Sequence, residues 1–208
     1  MSYKDFTLEQ IRQLFAVSIQ SNLDVFSTQK QSVQINPAFT SQLEYSTTLA
    51  LAINTEKARS EMIIAPILLE LRRLTGDRIS LFSGSEFNVD PAQGLNGFCD
   101  FIISLSSQQL YIEAPVAIIV EAKNENIKGG LAQCLATMIA AQRFNQQKSN
   151  TIDTIYGAVT MGNQWKFLKL YQETAAIDRK DYYIDQLPDI MGILFAMVEN
   201  TSSLAGVS

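Results

Sequence analysis

The sequence predicts an α/β domain, a mixed sheet flanked by helices with extra helices at the N-terminus, and three observations carry it. Two runs, 97–104 and 116–123, are apolar enough to be strands of a sheet interior. Patterns of helical period lie on either side of them, at 55–74 and 131–146. Two further strand-like runs, 154–161 and 165–171, flank Gly162-Asn163, a hairpin signal. With a strand over 79–89, the order becomes α-β-β-β-α-β-β.

Taken in chain order, Thr7-Leu8-Glu9-Gln10 has the form of a capping box, and Leu8, Ile11, Leu14 and Phe15 recur at helical spacing to about Gln20. A short strand is expected over 29–35, a break at Asn36-Pro37, and a helix from 37 to 52. This segment, 1–54, is expected as a helical extension that packs on the core or mediates dimerisation. The helix over 55–74 carries the stripe Ile64, Ile67, Leu68, Leu71 and Leu74, and ends in Arg72-Arg73 before Gly76. Pro66 costs about 3 kcal/mol in a helix interior, so a kink or break is expected there. Asp90-Pro91 to Gly94 reads as a turn, 106–114 as a loop, and Pro115 opens the strand of Glu121. Gly129-Gly130 reads as a connector before the helix over 131–146, which is apolar nearly all round and so is buried on both sides. An edge strand at 182–184 and a closing helix over 187–199 complete a domain spanning 55–200. A flexible tail is expected over 201–208.

Composition limits the chemistry. The 208 residues include no histidine, which removes Ser-His-Asp, Cys-His, HNH-type and zinc-hydrolase mechanisms. The two cysteines, Cys99 and Cys134, fall in predicted core elements and read as reduced packing residues of a cytoplasmic protein. Apolar runs are too short to span a bilayer, and the first residues carry no signal-peptide core. Sixteen basic residues against 21 acidic ones give a net charge of −5. DNA as a partner therefore requires the fold to gather Lys123, Lys128, Arg143 and Lys148 near one site.

The two apolar runs each carry charge where a buried strand should carry none: Asp100 in the first, Glu121 and Lys123 in the second. Glu121 and Lys123 are two apart, so their side chains leave the same strand face. If Asp100 is on the adjacent strand, two carboxylates and an ammonium converge. Carboxylates so close repel unless a cation lies between them, and Mg²⁺ or Mn²⁺ suits such oxygen donors. The alternative is a structural ion pair, but an exposed pair contributes at most about 1 kcal/mol. Stability alone does not call for it.

Asp100, a spacer of about twenty residues, then Glu121-Ala122-Lys123 at the end of a hydrophobic strand resembles the PD-(D/E)XK nuclease superfamily. The likeness spans roughly residues 55–175. One departure is that Cys99, not proline, precedes Asp100. The resemblance implies a restriction-endonuclease-like core. It implies a Mg²⁺ or Mn²⁺ ion on Asp100, Glu121 and the Ala122 carbonyl, with Lys123 activating water. A helix acid, Glu61 in preference to Glu56, would assist, and Gln133 would reach the site from the following helix. The tyrosine that some exonuclease branches carry four residues beyond that glutamine is Thr137 here. The function implied is metal-dependent hydrolysis of DNA. Two rival readings are an inactive interaction or structural protein of the same fold, and a metal-dependent hydrolase of a non-nucleic phosphate.

Overall fold

The chain enters the fold through a reciprocal cap. Thr7 Oγ1 accepts the Gln10 N–H at 3.2 Å, and Gln10 Oε1 accepts the Thr7 N–H at 2.8 Å, opening α1 (Leu8–Leu14). The structure, a computed structural model, describes residues 1–150 and 152–205. Helix α1 stops well short of Gln20, because Ala16 takes φ +54° and the chain turns into strand β1 (Ser18–Leu23). No strand forms over 29–35. Its backbone is engaged elsewhere, Gln31 N–H donating to the Gly192 carbonyl at 3.1 Å. Asn36 then caps α2 (Pro37–Ile53) through its side-chain oxygen, which accepts the Ala38 N–H.

The helical stretch predicted over 55–74 is α3 (Glu56–Arg59), a π-helical turn (Ser60–Ile64) and α4 (Ala65–Leu74). Pro66 has no N–H to give the Met62 carbonyl one turn earlier. Ser46 Oγ of α2 donates to that carbonyl at 2.8 Å instead. The break expected at Pro66 is thus displaced upstream into the π turn, and a neighbouring helix supplies the missing donor.

Next come β2 (Ser80–Glu86), a 3₁₀ turn (Pro91–Gln93), β3 (Phe98–Ser104) and β4 (Val116–Ala122). Helix α5 (Ile127–Gln147) starts four residues earlier than the periodicity indicates, since Asn126 caps it by accepting the Lys128 N–H at 2.9 Å. Gly129 and Gly130 are therefore its first turn and not a connector. Strands β5 (Thr154–Thr160) and β6 (Gln164–Tyr171) form the predicted hairpin, followed by β7 (Thr174–Asp178) and β8 (Tyr182–Tyr183). Helix α6 (Leu187–Ala205) continues through 201–205, part of the segment expected as a tail; the remainder, 206–208, lies outside the described residues.

The strands form one mixed sheet in the order β1-β7-β6-β5-β4-β3-β2, with β8 also on β6. Two pairs are parallel, β4 with β5 across α5 and β1 with β7; the others are antiparallel. One face packs on α2, α3, α4 and α6, with Ile63, Ile67, Leu71, Phe167 and Leu194 in its core. The other packs on α5 and α1, around Ile102, Ile119, Leu135 and Met138. The class is therefore α/β, with helices on both faces of a mixed sheet. Residues 1–54 are not a layer laid over that core: β1 extends the sheet and α2 completes one helical layer. Among the described residues no helix is long and apolar enough to cross a membrane.

Candidate active site

The site forms where β3 and β4 stop sharing a ladder. Phe101 pairs with Val120. One residue further, a side chain takes over: Asp100 Oδ2 accepts the Ala122 N–H at 2.8 Å. On the other side of β4 the parallel pairing with β5 runs on through Glu121–Val159 and Ala122–Thr160, and Lys123 N–H donates to the Thr160 carbonyl at 2.8 Å. Backbone bonds to β5 thus hold the Glu-Ala-Lys run straight while Asp100 reaches it from β3.

Glu121 is 1 % exposed. Its Oε1 receives Lys123 Nζ at 2.5 Å, and the Asp100 carboxyl is within hydrogen-bond reach. Its Oε2 is buried with no hydrogen-bond partner among the described residues. Such an orphan oxygen is costly to desolvate. Burial, and secondarily the charge on Asp100, push the Glu121 carboxyl up to about 8, against the pull of Lys123. Burial works against the Lys123 charge, but the carboxylates of Glu121, Asp100 and Glu56 outweigh it and raise the amine. Lys123 therefore stays cationic.

Helix α5 roofs the pair. A Cβ on Gly130 would stand 2.6 Å from Val159 Cγ1 and 3.0 Å from Lys123 Cγ. One on Gly157 of β5 would meet Met138 Sδ at 2.5 Å. These two glycines let the helix settle onto the lysine stem and the sheet. The thiols of Cys99 and Cys134 are buried beneath it, both pushed up by burial and then by the Glu121 charge. They are protonated packing groups, as their sequence context suggests.

Of the residues singled out from the sequence, the fold brings together Asp100, Glu121 and Lys123, with Ala122 between the last two. Gln133 is half-buried and lines a cleft with Lys4 and Phe98 that none of Asp100, Glu121 and Lys123 lines. Glu61 is not brought in. It is 60 % exposed and 3.7 Å from Lys57, because the π turn adds a residue and rotates the helix face upstream of Ile64. Glu56, one turn earlier, is the helix acid whose charge reaches Lys123. Two features escaped the sequence reading. One is Gly130, whose signal was a glycine too close to a helix cap to be a connector. The other is Asn124, whose Oδ1 is a second buried orphan just past Lys123.

The donor set suits a hard cation. Two carboxyl groups, one with a free buried oxygen, stand beside the Ala122 backbone, whose N–H Asp100 accepts, and Mg²⁺ keeps several waters of its own. No cluster of three or more Asp, Glu, Cys or His able to hold a metal occurs among the described residues, so water must complete any shell. The basic residues do not gather. Arg143 is paired with Asp90 at 2.8 Å, and Lys148 caps the far end of α5, about 30 Å along the helix from Lys128 at 1.5 Å per residue. Fold and site together define an α/β protein with a buried carboxylate–lysine centre at a strand divergence. No family model matches the chain, and no curated protein matches it either.

Proposed function

We propose that this chain is a divalent-metal-dependent phosphodiester hydrolase acting on DNA, with a restriction-endonuclease-like core. One observation carries the reading: a buried Glu121 oxygen without a donor, against the Asp100 carboxyl and beside a lysine. A merely structural ion pair would satisfy both oxygens of a carboxylate so deeply buried.

Asp100, Glu121 and the Ala122 carbonyl would hold Mg²⁺ or Mn²⁺. When bound, the ion supplies Lewis-acid charge on the scissile phosphate and acidifies water. Glu121 must first give up its proton, which its raised pKa opposes at neutral pH and the charge of a bound cation would offset. Lys123 Nζ orients the attacking water and donates to the phosphate oxygen on which charge builds in the transition state. The Gln133 amide orients the phosphate from the α5 side. Helix α5 excludes bulk water above the lysine, which strengthens each of these interactions.

A second reading, an interaction or structural protein of the same fold, draws on the 1 % exposure of Glu121 and the acidic net charge. Plasmid and oligonucleotide cleavage with millimolar Mg²⁺ or Mn²⁺ separates the two. The wild type should cut, chelator should stop it, and Lys123→Ala should lose at least a hundredfold in rate while keeping its fold and its response to metal. Absence of cleavage with either ion, on single or double strands, supports the interaction reading. Robust cleavage by Lys123→Ala would remove the lysine from the mechanism.

A further inference from the structure

A large aromatic side chain stands in water two residues from Asp100. Phe98, the first residue of β3, is 68 % exposed, although Cys99 next to it is 1 % exposed. It forms one wall of a cleft of about 270 Å³ whose other side carries Gln133 of α5 and Lys4. Lys4 is held there by its neighbour. Tyr3 is buried, its N–H donating to the Asn96 carbonyl at 3.1 Å and its hydroxyl to the Phe87 carbonyl at 2.5 Å. Lys4 itself is exposed and has no ion pair among the described residues. Across the ladder from Phe98 stands Glu86, also exposed, so a phosphate is repelled on the edge-strand side and attracted on the Lys4 side.

An exposed ring, a fixed cation and an amide around one small cleft are the chemistry of a nucleotide: a face for the base, charge for the phosphate, hydrogen bonds for the edge. A ring can take only a base that has left its stack, and the cleft has room for one. Resting on the hydrolase reading above, we infer that the cleft is a subsite for an unpaired nucleotide of the DNA strand, with its base on Phe98 and its phosphate on Lys4. The preferred substrate is then single-stranded DNA or a frayed end, delivered to Asp100 one residue pair further along β3.

The test is fluorescence anisotropy with a fluorescein-labelled fifteen-nucleotide oligo-dT and a blunt duplex of equal length, in EDTA so that nothing is cut. The wild type should bind the single strand at least tenfold tighter than the duplex. Phe98→Ala should lose about tenfold on the single strand alone, and Phe98→Trp should restore it. Lys4→Ala should lower the slope of log affinity against log salt by somewhat less than one. Equal binding by wild type and Phe98→Ala, or a preference for duplex, overturns the subsite. Cleavage with Mn²⁺ keeps the two readings apart. Single-strand binding that depends on Phe98 without any cleavage overturns the hydrolase and leaves the subsite standing. Metal-dependent cleavage of both substrates, unaltered in Phe98→Ala, does the reverse. Since Phe98 is exposed, its variants should fold, and circular dichroism checks this.

Discussion

Glu121 couples the stability of this protein to pH. Its carboxyl is raised from 4.5 to about 8 in the folded state by burial and by Asp100, so the folded chain holds that proton more tightly than the unfolded one. The resulting stability is complete below about pH 4.5 and is lost as pH rises through 8. With no histidine in the chain, few other side chains titrate across that window. In EDTA the melting temperature should fall by several degrees between pH 5 and 9, and Glu121→Gln should flatten that dependence. An equal fall in both proteins would place the titrating group elsewhere. A bound cation competes with the same proton, so the rise in melting temperature on adding Mg²⁺ should grow over this range. The charged residues of this site were legible because Asp100, Glu121 and Lys123 stand out in apolar runs. What no sequence pattern shows is that one oxygen of Glu121 lacks a donor, which depends on how three strands and α5 meet.

The elements that local signals specify were read correctly, and those that depend on distant partners were not. The cap at Thr7, the helix start at Pro37 and the β5–β6 hairpin are local, and each forms where expected. Strands β1 and β7 stabilise each other across most of the chain, and neither carries the alternation that would announce it. Two neighbouring glycines make the contrast between local and tertiary effects measurable. Gly129 has open space where a Cβ would go, so Gly129→Ala should stabilise α5 by up to about 1 kcal/mol. Gly130→Ala gains the same helix propensity but drives a methyl into Val159 and the lysine stem. It should lower the melting temperature and slow cleavage, visible as a split of opposite sign in paired thermal scans. On the other face, Ser46→Ala removes the donor that serves the Met62 carbonyl. It should cost about 1 kcal/mol, or 2–4 °C for a chain of this size.

For the whole molecule, the proposed function links metal to fold. An ion that binds only the folded site stabilises it by mass action. Millimolar Mn²⁺ or Mg²⁺ should therefore raise the melting temperature of the wild type, while Asp100→Ala should melt at the same temperature with or without the ion. Equal shifts in both would locate binding away from the divergence of β3 and β4. Residues 1–54 contribute a strand to the sheet itself, Ser18 of β1 lying in register beside Thr174 of β7. That pairing also orders events in time during synthesis. The ribosome delivers β1 before β7, its sheet neighbour among the described residues, which follows about 150 residues later, roughly eight to thirty seconds at 5–20 residues per second. Throughout that interval β1 has an unpaired edge, and holdase chaperones that grip extended backbone have a segment to guard until β7 arrives.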